Sequence, residues 1–495
     1  MHETLTPSQP STMTAPISIA IIGGGPGGLG TAIALSELPS VSVKLYEQAS
    51  EPREVGAGIS IGRNAWNVLE LLGAAEGVKG GKIGHSWQRN GRTGEAVDLD
   101  SRVSAALEDK QADGPRYASI RARRTRLQAA LLERVPGGII HFGKKVVEIR
   151  DLGLGQGVCL KFKDGTEVLA DLVVGADGIR SIVRRTLFPD HHLRVTGNTA
   201  FRVLIPLSSI AHVKDFPTSN GWWHVLNGHL YFAQVDDESE EEPRLCEITI
   251  RSYNEAVTPD RAATWAVPVT NQHVLARTGE YDPRIQEVLK AVPEGAWREF
   301  AMVAGPCLQD ITAWDKVALI GDASHPLSGA FGSGAAFAME DGWILARALE
   351  LEYSRAFNTS TMIKGALEIF QQIRGPYYER MYEYLESREK HSMGTRKEDV
   401  DFDSVIRARI AGFGFASSGK MDWIYKNNIE QVWKDRSSPL DKLKAQLSTG
   451  NTSNTVTPEQ TEQNIRKTRE AIQQASDLVF DVQKRRFTQC NNLFQ

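Results

Sequence analysis

An α/β fold carrying a second, mainly antiparallel β lobe is predicted by three observations. A short apolar strand runs into a glycine cluster followed by a helical pattern. Far downstream another apolar strand ends in the same way, at Gly321-Asp322. Between them, over roughly residues 196–278, β-like runs replace the alternation of strands with helices. Strands that alternate with helices build parallel sheets, whereas successive short strands build antiparallel ones. At 495 residues the chain has room for two or three domains, each with its own core.

Ile17–Ile22 is a continuous apolar run, as expected of a strand buried on both faces. Residues 29–38 have a helical apolar pattern that Pro39-Ser40 ends, and Val41–Tyr46 reads as a second strand. This is a strand–turn–helix–strand unit of about 30 residues, the size of a βαβ. Further on, Val158, Leu160 and Phe162 alternate with Cys159, Lys161 and Lys163, and Asp164-Gly165 supplies a tight hairpin. The chain returns through Leu172, Val173 and Val174 into Gly175-Ala176-Asp177-Gly178.

The β lobe rests on runs at 200–206, 228–235 and 245–250. Residues 316–320 are again a buried strand, and helices are predicted at 336–351 and 361–395. The acidic run 236–242 is read as the cap of a solvated hairpin turn, and 448–460 as an exposed loop.

These elements divide the chain into a flexible tail at 1–16 and a discontinuous α/β domain at 17–80, 116–195 and 296–372. A mainly β domain is expected at 81–115 and 196–295, and a helical C-terminal region at 373–495.

Composition narrows the function. Lys and Arg number 57 against 61 Asp and Glu, a net charge of −4, which gives no electrostatic case for nucleic acid or an anionic membrane. No apolar run approaches the roughly 20 residues of a membrane helix. The first basic residue is Lys44, which argues against a signal peptide or a mitochondrial presequence, so a cytoplasmic protein is expected. Cys159, Cys246, Cys307 and Cys490 are far apart without a Cys-x-x-Cys, so reduced thiols are expected rather than disulfides or a metal site.

Gly23-Gly24-Gly25-Pro26-Gly27-Gly28 fits G-x-G-x-x-G between a strand and a helix. Gly23 allows the tight turn, Gly25 lets a pyrophosphate approach the backbone, and Gly28 lets helix and strand pack closely. The helix N-terminus offers unpaired N–H groups and a positive dipole end. Glu47 ends the second strand 19 residues after Gly28, where a carboxylate accepts hydrogen bonds from ribose hydroxyls and repels a 2′-phosphate. These features predict a bound dinucleotide but leave its kind open. Gly153, Gly155 and Gly157 have the wrong spacing for a second such motif.

Gly175-Ala176-Asp177-Gly178-Ile179-Arg180-Ser181-Ile182-Val183-Arg184 resembles the Asp-Gly motif of the group A flavoprotein aromatic hydroxylases. Gly321-Asp322-Ala323-Ser324-His325-Pro326 resembles that family's second FAD motif, and the match runs on through Gly332-Ser333-Gly334-Ala335 to Glu340-Asp341-Gly342. Three motifs in the family's order cover about residues 17–390, with the strongest likeness to salicylate hydroxylases and to fungal phenol-dearomatising hydroxylases. The resemblance implies a Rossmann-like FAD-binding domain of the glutathione-reductase type with an inserted β-sheet substrate domain.

It also implies FAD as cofactor, NADPH or NADH as electron donor and O2 as co-substrate. A small phenolic or salicylate-like substrate would be hydroxylated through a flavin C4a-hydroperoxide, by a monomer or homodimer. A reductase or dehydrogenase, or an alkene epoxidase, remains the alternative on the same fold.

Several residues take roles from the resemblance. Asp322 follows a buried strand and suits the ribityl hydroxyls of FAD, with a helix cap as its alternative. Gly334 and Ala335 open a helix whose N–H groups approach the flavin and the pyrophosphate. Arg124 corresponds to an arginine beneath the cofactor, although Arg126 stands where relatives have Asp. Ser60 belongs to a Gly56-Ala57-Gly58-Ile59 segment beside the ring. Asp177 is either near the pyrophosphate or a turn cap. His325 is expected to be structural.

In the β lobe, Arg202 takes the place of the family's pocket arginine. Its guanidinium either faces solvent from an edge strand or, if buried in this apolar strand, needs an anionic partner. Tyr231, on what is expected to be the partner strand, either reaches the substrate or packs in the core. Trp222, Trp223 and His224 are candidate pocket walls whose direction the pattern does not fix. Gly329 stands where relatives commonly have Pro, and Phe331-Gly332-Ser333 replaces an Ala-Gln segment. Tyr377, Met381 and Tyr384 share one helical face, expected to be core or a subunit contact.

Overall fold

The structure is a computed structural model. It describes residues 16–51, 58–83, 86–97, 118–153, 155–236, 243–253, 266–355, 358–394 and 421–436, with a few positions near 257–261 and 401–410. The expected tail up to residue 15, the loop 448–460 and residues 237–242 of the acidic run lie outside the described residues. The chain forms two compact units, Met1–Ile429 and Glu430–Gln495. In the second, residues 430–436 are helical, with Lys434 paired to Glu430 one turn away.

Within the first unit the apolar runs assemble a six-stranded sheet. Its order is Thr312–Ala313, Val317–Leu319, Leu172–Gly175, Ile17–Ile22, Val41–Tyr46 and Ile140–His141. All neighbours are parallel except the first pair. Ile17–Ile22 lies inside this sheet, between Val41–Tyr46 and Leu172–Gly175, which explains why it is apolar almost throughout. The helix after it begins at Pro26 rather than at residue 29, because Pro suits the first helical position.

A seven-stranded sheet is ordered Val267–Pro268, Arg298–Ala304, Arg194–Pro206, Leu245–Ser252, Gly228–Val235, Gly221–Val225 and Trp87–Asn90. It is antiparallel except for its last pair. Side chains alternate strictly. Phe201, Val203, Ile248, Ile250, Leu230, Phe232 and Trp223 point into a core that includes Ile285, Val288 and Leu289 of the helix Pro283–Lys290. The intervening residues form an opposite face that carries charge.

Two expectations change here. The neighbours of Arg194–Pro206 are Leu245–Ser252 and Arg298–Ala304, so the strand of Tyr231 lies one place further away than expected. Arg298–Ala304, placed by the sequence boundaries in the α/β domain, belongs to this sheet through its register with Thr199–Arg202 partners such as Ala200↔Phe300.

A three-stranded sheet joins Gly58–Ile61, Ile120–Arg123 and Gly81–Lys82. The hairpin of Val158–Phe162 with Glu167–Ala170 turns as predicted, with Gly165 at φ +85°. Long helices occupy Gly334–Tyr353 and Thr359–Gly394, the second containing Pro376 and crossing the boundary expected at 373. Its Tyr378 and Met381 are buried with Phe331 and Phe337, and Tyr377 and Tyr384 pack at the edge of that cluster. Among the described residues no helix is long and apolar enough to cross a membrane.

The acidic run also departs from expectation at its first residue. Asp236 is buried and pairs with Arg123 and, at 3.2 Å, with Arg126. The Arg126 that stands in place of the family's Asp therefore has its carboxylate supplied from another strand end.

Candidate active site

The glycine loop is shaped by backbone demands. Gly23 has φ +108°, and a Cβ there would overlap the Ala176 carbonyl; one on Gly28 would overlap the carbonyl of Gly23. Gly25 faces open space, with no atom within 4 Å of an added Cβ. The loop thus combines two positions that admit no side chain with one that leaves room for a ligand, at the N-terminus of Pro26–Ser36. The carboxylate of Glu47 accepts from Gly24 N–H at 2.6 Å and Ala49 N–H at 2.7 Å, one bond per oxygen. Each oxygen keeps a further lone pair, so a ribose hydroxyl is compatible with these bonds.

Asp177 caps the short helix Ile182–Leu187: its Oδ2 accepts from Ile182 N–H at 2.7 Å and Val183 N–H at 3.3 Å. Burial raises its pKa against these hydrogen bonds, and Oδ1 is buried without a partner. These two bonds are of the kind a turn cap makes, and Ser181 is the N-cap residue of the same helix. Arg184 of the same motif donates to the carbonyls of Asp322 and Ala323, at 3.0 Å each, and ties the two motifs together.

Asp322 sits in the single turn Gly321–Ala323. It is exposed, and the surrounding protein raises its pKa by desolvation, with Arg124 and Arg184 opposing. An added Cβ on Gly334, the first residue of Gly334–Tyr353, would stand 3.8 Å from Oδ1 of Asp322. Arg124 opens the helix Arg124–Leu132, whose Gln128 donates to the Gly24 carbonyl at 3.2 Å. Glu47 and Gln128 thus lie beside the glycine loop, and Arg124 and Gly334 near Asp322.

His325 is not exposed as Asp322 is. It is buried, stacked on Tyr378 at 3.6 Å, and in contact with Ser324 Oγ at 2.6 Å. Burial, with the cation of Arg374, pushes its pKa well below normal and keeps it neutral.

The charged face of the seven-stranded sheet brings Arg202, Thr249, Tyr231 and Trp222 into one row, since each pairs with the next. The anionic partner that Arg202 requires is Glu247, at 2.9 Å. Glu247 is fully buried and also receives Arg121, through Nε at 2.9 Å and through Nη2. Burial opposes its ionisation, but the two guanidiniums prevail and hold its pKa below normal. Arg121 reaches Ser60 Oγ at 2.7 Å and lies 5.4 Å from the centre of the Tyr231 ring. Arg202 also donates to the Gly58 carbonyl at 3.4 Å. Residues 58–60 therefore lie against this charged face.

Two arginines and one carboxylate leave one positive charge in excess. Among the described residues the hydroxyl of Tyr231 has no hydrogen bond, and burial raises its pKa. Of the aromatic candidates, Trp222 contacts Tyr231 at 4.5 Å, Trp223 is buried in the core, and His224 is held by Gln88 at 2.7 Å. Glu247 and Arg121 were missed from the sequence. Their one signal is the requirement that a buried Arg202 have an anion, which identifies no residue until the strands are in register.

The chain matches the FAD binding domain family over residues 16–360. It is 26% identical over 453 residues to the 6-methylsalicylate 1-monooxygenase of Aspergillus terreus, covering 86% of this chain and 92% of that one. It is 25% identical over 449 residues to the salicylate hydroxylase of Pseudomonas putida, with 84% and 93% covered. A solved salicylate hydroxylase substrate complex shares the fold with a TM-score of 0.64 at 23% identity, over 84% of this chain and 97% of that one. The family match spans well more than half of the chain, which therefore belongs to the FAD binding domain family; the relatives it resembles are a 6-methylsalicylate monooxygenase and a salicylate hydroxylase.

Proposed function

We propose that this protein is an FAD- and NAD(P)H-dependent monooxygenase that hydroxylates a phenolic or salicylate-like aromatic substrate. The six-stranded sheet is read as a Rossmann-like, glutathione-reductase-type domain for FAD, the seven-stranded sheet as the inserted substrate domain, and residues from 373 as a helical C-terminal region. Gly23, Gly25 and Gly28 would hold the pyrophosphate, Glu47 the adenosine ribose and Asp322 the ribityl chain. Gly334 and Ala335 would offer N–H groups to the ring end, with Arg124, Asp177 and Ser60 around the cofactor.

Bound there, FAD supplies the redox chemistry, accepting a hydride from NADPH or NADH and activating O2. The overall reaction converts phenol, O2, NAD(P)H and a proton into hydroxylated product, NAD(P)+ and water.

The chain's own residues orient and polarise the substrate. Arg202, neutralised only in part by a Glu247 shared with Arg121, favours phenolate over phenol, the more electron-rich form. The Tyr231 hydroxyl is placed to hydrogen-bond the substrate, and Trp222 to flank its ring. The excess positive charge on this face is the observation that carries the reading. A neutral alkene would give it no partner. The enzyme is read as a cytoplasmic monomer or homodimer.

The test is NAD(P)H oxidation by purified protein across a phenol panel, with mass spectrometry of the products. Products heavier by one oxygen atom support the reading; NAD(P)H consumed only to peroxide with every phenol rejects it.

A further inference from the structure

Behind the turn that carries Asp322 lies a buried group of charges that no step of the proposed reaction uses. Glu340 and Asp341 are neighbours in the helix Gly334–Tyr353 and share the guanidinium of Arg374, from the helix Thr359–Gly394. All three are buried. Charges in such a place are tolerated only when they are paired and hydrogen-bonded. Oδ1 of Asp341 accepts from Arg374 Nε and from the Tyr378 hydroxyl, at 2.6 Å each. Its Oδ2 accepts from the Gly321 N–H at 2.8 Å. Gly321 directly precedes Asp322, so this bond fixes the turn from which the Asp322 carboxylate projects.

Glu340 continues the group on its other side. Its Oε2 accepts from Arg374 at 3.2 Å, and its Oε1 accepts from the side-chain amide of Asn427 at 2.9 Å. Burial pushes the Glu340 carboxyl up to about 7, against Arg374 and Asn427, so the amide helps to keep it charged. Asn427 therefore stands at the end of an unbroken series of charge-assisted bonds that runs through Glu340, Arg374 and Asp341 to Gly321.

The segment bearing Asn427 is built against the same region. Met421 and Ile424 are buried with Leu327 and Phe331, which belong to the loop between Asp322 and Gly334. The backbone carbonyl of Asn427 accepts from Asn67 at 2.8 Å, in the helix Arg63–Leu71 that follows the strand of Ser60. Arg374 and Asn427 both lie beyond the family match, which ends at residue 360.

We propose that Asn427 is a positioning residue for the cofactor. Through Glu340, Arg374 and Asp341 it holds the turn of Asp322, so that a segment outside the family match completes the FAD site. The inference rests on the reading of Asp322 as a flavin contact.

The test is the FAD affinity of the full chain, stripped of flavin and titrated with FAD while the flavin fluorescence is followed. Asn427→Leu keeps the bulk and removes the donor, and is expected to weaken FAD at least about tenfold. Asn427→Asp combined with Glu340→Gln reverses donor and acceptor of the same bond at constant net charge. The new amide donates to position 427 while its oxygen still accepts from Arg374, so FAD affinity is expected within about 3-fold of wild type. Arg380→Ala removes the cation that lies 4.0 Å over the Trp423 ring, which loosens the segment without touching the series. Its FAD affinity is also expected within about 3-fold of wild type.

Circular dichroism of the flavin-free proteins reports folding; if Asn427→Leu is not folded, Asn427→Ala takes its place with the same expectation. Three results would each overturn the role of Asn427 alone. They are wild-type affinity without the donor, a double variant no tighter than Asn427→Leu, and Arg380→Ala as damaging as Asn427→Leu. A wild type that takes up no FAD overturns the cofactor reading as well.

Discussion

The surroundings of the glycine loop and the charged face of the β lobe solve opposite problems. Around the loop, the groups proposed for the cofactor are mostly backbone: N–H groups at two helix starts and glycines that admit no side chain, with Glu47, Asp322 and Arg124 as the charged additions. On the β lobe the groups are side chains, and their charges are interlocked through the one buried carboxylate of Glu247. A backbone site tolerates change almost everywhere except where a Cβ would collide. A side-chain network fails when its shared member is removed. The first geometry suits a cofactor of fixed shape, and the second can be retuned for different substrates.

The largest effect should come from that shared member. Glu247→Ala strands two guanidiniums, one of them buried, and should destabilise the fold by about 3–5 kcal/mol in urea denaturation. A loss below about 1 kcal/mol would show that the network is not interlocked. Because the folded pKa of Glu247 is depressed, its stabilisation is present above its unfolded value, near 4.5, and is lost as pH falls from there through the folded value. The Ala variant should lack this part of the acid sensitivity.

Arg202→Ala should come next, with turnover falling about 100-fold while FAD stays bound, as for loss of one preorganised charge donor. Turnover near wild type would remove Arg202 from the substrate site. Glu47→Gln should weaken FAD about tenfold in equilibrium dialysis, through loss of a charged acceptor, and leave the β lobe's stability unchanged. Undiminished affinity would mean that Glu47 only braces Gly24 and Ala49. Smallest, Tyr231→Phe should lower kcat/KM a few-fold with unchanged stability, as befits a hydroxyl without an internal partner. A clear loss of stability would instead assign it to packing.

The same contrast explains what the sequence made readable. Gly23 and Gly28 are visible in one dimension because the backbone shape that needs them is local, and Glu47 lies a fixed distance downstream. The strand Val41–Tyr46 and the run 228–235 emerged with their full bounds because their apolar or β-rich character is local too. Glu247 gave no such signal: its meaning depends on strands 245–252 and 194–206 being in register, some 50 residues apart. Order within the sheet was equally hidden, which is why Tyr231 was placed one strand too close to Arg202. Asp236 was misread because acidic runs are usually solvated, and only the fold brings Arg123 and Arg126 to its first residue.

In the proposed reaction a flavin on one side and an aromatic ring on the charged face meet so that oxygen passes between them. It is tested most directly by running the purified, FAD-loaded protein with NADPH or NADH, a hydroxybenzoate and oxygen-18 gas, and weighing the product. Incorporation of one heavy oxygen atom from the gas, with none from labelled water, is the predicted result. Unlabelled product, or all of the heavy oxygen recovered as hydrogen peroxide, would contradict it.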